Sequence, residues 1–86
     1  MATILVTGAN RGLGIEFVEQ YLNGGNEVIA TYRNENSSID LIEMGNERSN
    51  LKLLQLDVSS NKSLNSFAEN LGDSPIDIFI NNAGVY

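Results

Sequence analysis

Cysteine and histidine are both absent from the 86 residues, and only one proline is present. Without cysteine there are no disulfides and no thiolate metal sites, and without histidine there is no imidazole ligand or base that titrates near neutral pH. Basic residues are scarce: five Lys and Arg against eleven Asp and Glu leave a formal charge of -6. That balance argues against a general nucleic-acid or anionic-membrane surface, so neither is expected as a partner, although a local basic pair can still receive a phosphate. Long apolar runs are missing as well. The longest extend four or five residues, far short of a membrane span, and no charged n-region precedes a long apolar segment at the start. A cytoplasmic protein is therefore expected. Internal repeats, low-complexity tracts and interdomain linkers are not seen.

What is present is a globular composition, 42% hydrophobic and 19% charged. At this length the chain is at most one small domain, which would bury little more than about 60% of its unfolded surface.

Thr3 to Thr7 (TILVT) is a nearly continuous apolar run ending at a glycine, the pattern of a strand buried on both faces of a parallel sheet. Leu13, Phe17, Val18, Tyr21 and Leu22 then recur with helical spacing and stop before Gly24 and Gly25. Val28 to Tyr32 (VIATY) reads as a second strand, followed by a polar loop. Ile39 to Arg48 is expected to be helical, with Gly45 and a poor apolar pattern at Leu41, Ile42 and Met44 against it. Leu51 to Leu56 (LKLLQL) gives a third strand closed by Asp57. Ser59 or Ser60 can cap a helix whose face is Leu64, Phe67, Ala68 and Leu71 and which ends at Gly72. After Pro75, Ile76 to Ile80 (IDIFI) is the fourth strand. Alternation of this kind implies an α/β fold of parallel strands joined by right-handed crossovers. The expected strand order is 3-2-1-4, with the first two helices on one face and the third alone on the other.

The stretch TGANRGLG runs from the first strand into the first helix. A glycine turn there aims backbone N–H groups and the positive end of the helix dipole at one point, which suits a phosphate. Gly8 can take the tight turn, Gly12 permits close approach of a pyrophosphate, and Gly14 lets the helix pack near the strand. A plain tight turn is the competing reading. A triphosphatase loop is excluded, because Ile15 and Glu16 stand where that loop needs Lys and Ser or Thr. At the end of the second strand, where an acidic residue would bind the ribose of NAD and an arginine the 2′-phosphate of NADP, stands Arg33. Arg11 can reach the same phosphate from the glycine loop. Two solvated loop arginines are the alternative, and Glu35 nearby offers a contact to a ribose hydroxyl. Asp57 either accepts a hydrogen bond from an adenine amino group or satisfies backbone N–H groups ahead of the next helix. NNAG, Asn81 to Gly84, offers two amides and a bare backbone to a ribose, or forms an Asx turn.

Together TGANRGLG, Arg33, LDV (Leu56 to Val58) and NNAG resemble the N-terminal half of a short-chain dehydrogenase/reductase of the TGxxxGxG branch, over the whole chain. TGANRGLG followed by TYRN is most similar to C-factor-like and carbonyl-reductase-like members, whereas extended sugar-modifying relatives space their glycines as TGxxGxxG. The resemblance implies a Rossmann-type three-layer fold, here its first half, with residues 1–86 as an N-terminal NADP-binding half. It implies that Gly8, Gly12 and Gly14 bind the pyrophosphate side of the cofactor, with Asn10, Arg11 and Leu13 lining it. Arg33 and Arg11 would favour NADP(H) over NAD(H), Asp57 and Val58 would hold the adenine, and Asn82, Ala83 and Gly84 would face the ribose groups. Asn81 would tie the fourth strand to its neighbours.

The implied activity is interconversion of a small-molecule carbonyl and alcohol by hydride transfer, in a longer enzyme that can be a homo-oligomer. The family's catalytic tyrosine, the lysine four residues beyond it and the serine belong to the second half. Among Tyr21, Tyr32 and Tyr86, none has a lysine four residues later, so no catalytic residue is expected in this chain, and no metal ligand. The chain is expected to be a fragment of that enzyme, inactive alone, with its fourth strand as an exposed apolar edge. The alternative is a truncated nucleotide-binding or subunit-pairing module without catalysis.

Overall fold

The computed structural model describes residues 2–9, 13–33, 38–57, 59–73 and 75–81. Strands β1 (Thr3–Thr7), β2 (Glu27–Tyr32), β3 (Leu51–Gln55) and β4 (Ile78–Asn81) alternate with helices α1 (Leu13–Asn23), α2 (Ile39–Glu47) and α3 (Asn61–Leu71). All strand pairs are parallel and lie in the order β3-β2-β1-β4. This is the order expected from right-handed crossovers.

The register divides the apolar residues between two faces, because successive side chains in a strand point to opposite sides. Ile4, Val28 and Leu51 form one row and Val6 and Ala30 another on the same face. There Val18 and Leu22 of α1 and Leu41 of α2 close over them, with Tyr21 and Met44 packed alongside. On the other face Leu5, Ile29 and Leu54 form a smaller cluster, met by Phe67 and Leu71 of α3 and by Ile76. The first two helices thus share a face and the third stands alone, as the crossovers require.

Local chemistry sets the ends of these elements. Helix α1 stops at Gly24 and Gly25, whose N–H groups donate to the carbonyls of Gln20 and Leu22, and Gly25 has a φ of 82° that disfavours any other residue. Ser60, and not Ser59, caps α3: its Oγ accepts from the Ser63 N–H at 3.2 Å. Gly45, which weakens α2 as a helix, has a packing reason: a Cβ there would stand 2.7 Å from Cδ1 of Leu53, so its absence lets α2 lie on β3.

Two boundaries differ from the sequence reading. Strand β3 ends at Gln55, although the Leu56 N–H still donates to the Tyr32 carbonyl. Strand β4 begins at Ile78 and runs to Asn81, two residues later than expected at its start. Asp77 is the cause: its carboxylate accepts from the Thr3 N–H at 2.8 Å while its own N–H donates to the Thr3 carbonyl, so it closes the amino end of β1. Ile76 turns into the smaller cluster instead of joining the strand.

Candidate functional site

The carboxyl ends of the strands share one edge of the sheet, where open parallel sheets receive their ligands. At the end of β1 the chain turns through Gly8, whose φ of 62° suits glycine and strains other residues. The turn is fixed from β2: the Gly8 N–H donates to Thr31 Oγ1 at 3.1 Å, and the Ala9 N–H donates to the Thr31 carbonyl at 2.9 Å. Gly14, in the first turn of α1, is buried. Asn10, Arg11 and Gly12 lie outside the described residues, and Leu13 enters only as the first residue of α1.

Arg33 follows β2 directly. Its side chain is 73% exposed and therefore available to a ligand, and its Nε stands 3.8 Å from Oδ1 of Asp57. Its carbonyl accepts from Nε2 of Gln55 at 3.2 Å, which laces the ends of β2 and β3 together. Asp57 is held more firmly. Its N–H donates to Ser63 Oγ at 2.8 Å, and its Oδ1 accepts from both the N–H and the hydroxyl of Ser59, at 3.0 and 2.6 Å. These two Ser59 bonds hold the carboxyl below its ordinary value of 3.8, opposed in part by desolvation, and the nearby Arg33 guanidinium adds the smallest effect in the same downward direction. Asp57 therefore stays ionised at neutral pH. Among the described residues its Oδ2 accepts no hydrogen bond, so an acceptor remains beside the exposed cation.

The last residue of β4, Asn81, is in register with Thr7, which sets the end of β4 beside the glycine turn. Val58, Asn82, Ala83 and Gly84, and Glu35 with them, lie outside the described residues. Of the expected site residues, then, Gly8, Gly14, Arg33 and Asp57 share one edge. Thr31, Ser59 and Ser63 are functional neighbours that sequence reasoning had not placed there. A serine two residues after an Asp is a usable sign of an Asx turn. A threonine inside VIATY signals only a strand.

A hollow of about 350 Å³ lies at the opposite edge, lined by Thr3, Glu27, Asn50, Lys52 and Pro75 among others. It is on the amino ends of the strands, away from the glycine turn. No described helix is long and apolar enough to cross a membrane.

Parallel strands in this order, helices on both faces, and a glycine turn leading into α1 define a Rossmann-type α/β fold. The chain belongs to the short chain dehydrogenase family, whose profile matches residues 2–86. It is 40% identical over 88 residues to (+)-neomenthol dehydrogenase of Arabidopsis thaliana, covering 94% of this chain and 30% of that protein. It is 38% identical over 87 residues to the short-chain dehydrogenase/reductase atnB of Arthrinium sp, covering 96% and 32%. A carbonyl reductase from Pseudomonas aeruginosa PAO1, solved in complex with NADP, superposes with a TM-score of 0.86 at 30% identity, over 100% of this chain and 40% of that one. The chain spans about a third of the length of the curated relatives it matches.

Proposed function

We propose that residues 1–86 are the NADP(H)-binding half of a Rossmann domain, in an oxidoreductase that interconverts a small-molecule carbonyl and alcohol by hydride transfer. The observation that carries this reading is Arg33, an exposed guanidinium at the end of β2 facing Asp57 at the end of β3. A 2′-phosphate needs a cation at that place, and a guanidinium binds it in bidentate fashion. Asp57 offers its open Oδ2 to an adenine amino group, while Ser59 and Ser63 keep the carboxylate and its backbone in place. The donor set thus fits NADP(H). Bound there, the cofactor would supply the hydride, and this chain's residues bind and orient its adenosine side.

An exposed pair at 3.8 Å is weakly held, so phosphate competes readily with Asp57 for the guanidinium. Support also comes from the relatives, which include a (+)-neomenthol dehydrogenase and a carbonyl reductase solved with NADP. Fluorescence titration of the chain with NADPH and NADH tests the assignment. Arg33→Asp is expected to weaken NADPH binding tenfold or more and to leave NADH binding within about twofold, since each lost charge-assisted contact is worth about 1.5–3 kcal/mol. Unchanged preference for NADPH in the variant would remove the arginine from the site.

The exposed apolar residues of β4 favour a second reading, a nucleotide-binding or subunit-pairing module without catalysis. NADPH oxidation against small aldehydes and ketones by the product of the complete reading frame separates the two, with turnover supporting the first.

A further inference from the structure

We propose that Thr31 is a positioning residue for the cofactor loop, shaping the glycine turn through its hydroxyl so that the first two amides of the turn face β2 and not the ligand. Thr31 is 2% exposed and lies on β2 beside the end of β1. Its two oxygens take two consecutive N–H groups of the neighbouring chain, Oγ1 that of Gly8 at 3.1 Å and the carbonyl that of Ala9 at 2.9 Å. The ladder spacing that gives the Glu27 N–H to the Ala2 carbonyl would assign the Thr31 carbonyl to Gly8; Ala9 takes it instead, one residue later, a bond that any residue at position 31 could accept. The hydroxyl bond is different, because it requires Thr or Ser.

Gly8 has a φ of 62°, so its peptide leaves the strand direction at the point where the ladder stops. The side chain of Thr31 takes that N–H. The consequence for the ligand is a division of labour within the loop. Gly8 makes the turn, and its amide is directed into the sheet, as is that of Ala9. Pyrophosphate is left to the later residues of the loop and to the start of α1, whose first N–H groups have no partner within the helix. Valine at position 31 has nearly the shape of threonine but no acceptor, so it would free the turn to change its pitch without emptying the core.

This inference rests on the NADP(H) reading for its ligand half only, and the test separates the two. In the unliganded chain, Thr31→Val is expected to raise hydrogen exchange at the Gly8 amide tenfold or more, with Leu54 on β3 unchanged. NADPH affinity is expected to fall about tenfold, whereas adenosine 2′-phosphate, which has the adenine and 2′-phosphate but no pyrophosphate, keeps its affinity within about twofold. Thr31→Ser retains the acceptor and is expected to preserve both the Gly8 protection and both affinities, and it decides the matter if the valine variant does not fold. Unchanged Gly8 exchange in Thr31→Val, lost protection in Thr31→Ser, or an equal loss of both ligands would overturn the assignment. Absence of NADPH binding in the unaltered chain would instead count against the cofactor, with the exchange comparison still deciding the role of Thr31.

Discussion

On the face covered by α1 and α2, Ile4, Val6, Val18 and Leu41 are wholly shut off from water; on the other face α3 contributes no buried residue, and Phe79 of β4 keeps 59% of its surface exposed. Both faces belong to the same four strands, so the difference lies in what covers them. Two helices bring apolar side chains to the first face. The second has one helix for four strands, placed over β3, and it leaves the β4 side open. Phe67 and Leu71 hold α3 to the small cluster of Leu5, Ile29 and Leu54 while staying half-buried, and polar contacts add to them: the Ser60 cap, the Ser63 hydroxyl on the Asp57 backbone, and Lys52 Nζ donating to the Asn70 carbonyl at 3.2 Å. One face is held by a large apolar core and the other by a small one with hydrogen bonds at its ends.

The largest effect should come from breaking the first face. Leu41→Ala removes a side chain with no exposed surface and is expected to cost about 3 kcal/mol, from lost burial and from the cavity left behind. For a chain of this size that is a large part of its stability. Phe79→Ser, a larger chemical change, is expected to move stability by no more than about 0.5 kcal/mol, because the ring is mostly in water already. Urea unfolding of both variants measures the contrast. Equal costs would mean that the two faces are not packed differently.

Ser60→Ala should come next and should act on the second face alone. Losing the side chain that accepts from the Ser63 N–H is expected to cost about 1 kcal/mol. Because α3 lacks buried anchors, the loss is expected to appear as faster amide exchange along α3, with α1 unaffected. Uniformly faster exchange across α1 and α3 would show that the helix is not held by its cap.

The contrast also explains which parts of the molecule were legible in the sequence. Strand order and the pairing of α1 with α2 follow from element order alone, since parallel strands leave few crossover paths. Helix α3 was legible at its ends, from Ser60 and Gly72, but its face was not: of Leu64, Phe67, Ala68 and Leu71, only Phe67 and Leu71 pack on the sheet, and Leu64 and Ala68 are exposed. Periodicity shows which side of a helix is apolar and says nothing of how much sheet lies beneath it. Strand β4 starts at Ile78 and not at the expected Ile76 because Asp77 is occupied with the backbone of Thr3. Arg33 and Asp57 could be placed at strand ends, whereas their approach to 3.8 Å depends on the pairing of β2 with β3. Thr31 was hidden, because its strand propensity masks the bond to Gly8 made across strands distant in sequence.

The smallest expected effect concerns the joint between the second face and the site. Asp57 lies between β3 and α3, and its carboxyl is held below 3.8 chiefly by the two Ser59 bonds, with a further contribution from Arg33. A carboxyl whose pKa is lower in the folded chain than in the unfolded one contributes stability that is present above the unfolded value. That contribution is lost as pH falls through the folded value. Asp57→Asn keeps an oxygen to accept from Ser59 but cannot ionise. Its melting temperature should therefore lie slightly below that of the unaltered chain at pH 5 to 6, and the gap should close as pH falls below about 3.8, toward the folded value. A gap of constant size from pH 6 to pH 2 would assign the difference to shape and not to charge. In that event the bonds to Ser59 would hold the α3 junction without regard to ionisation, and the polar account of that face would rest on the Ser60 cap, the Ser63 hydroxyl and Lys52 alone.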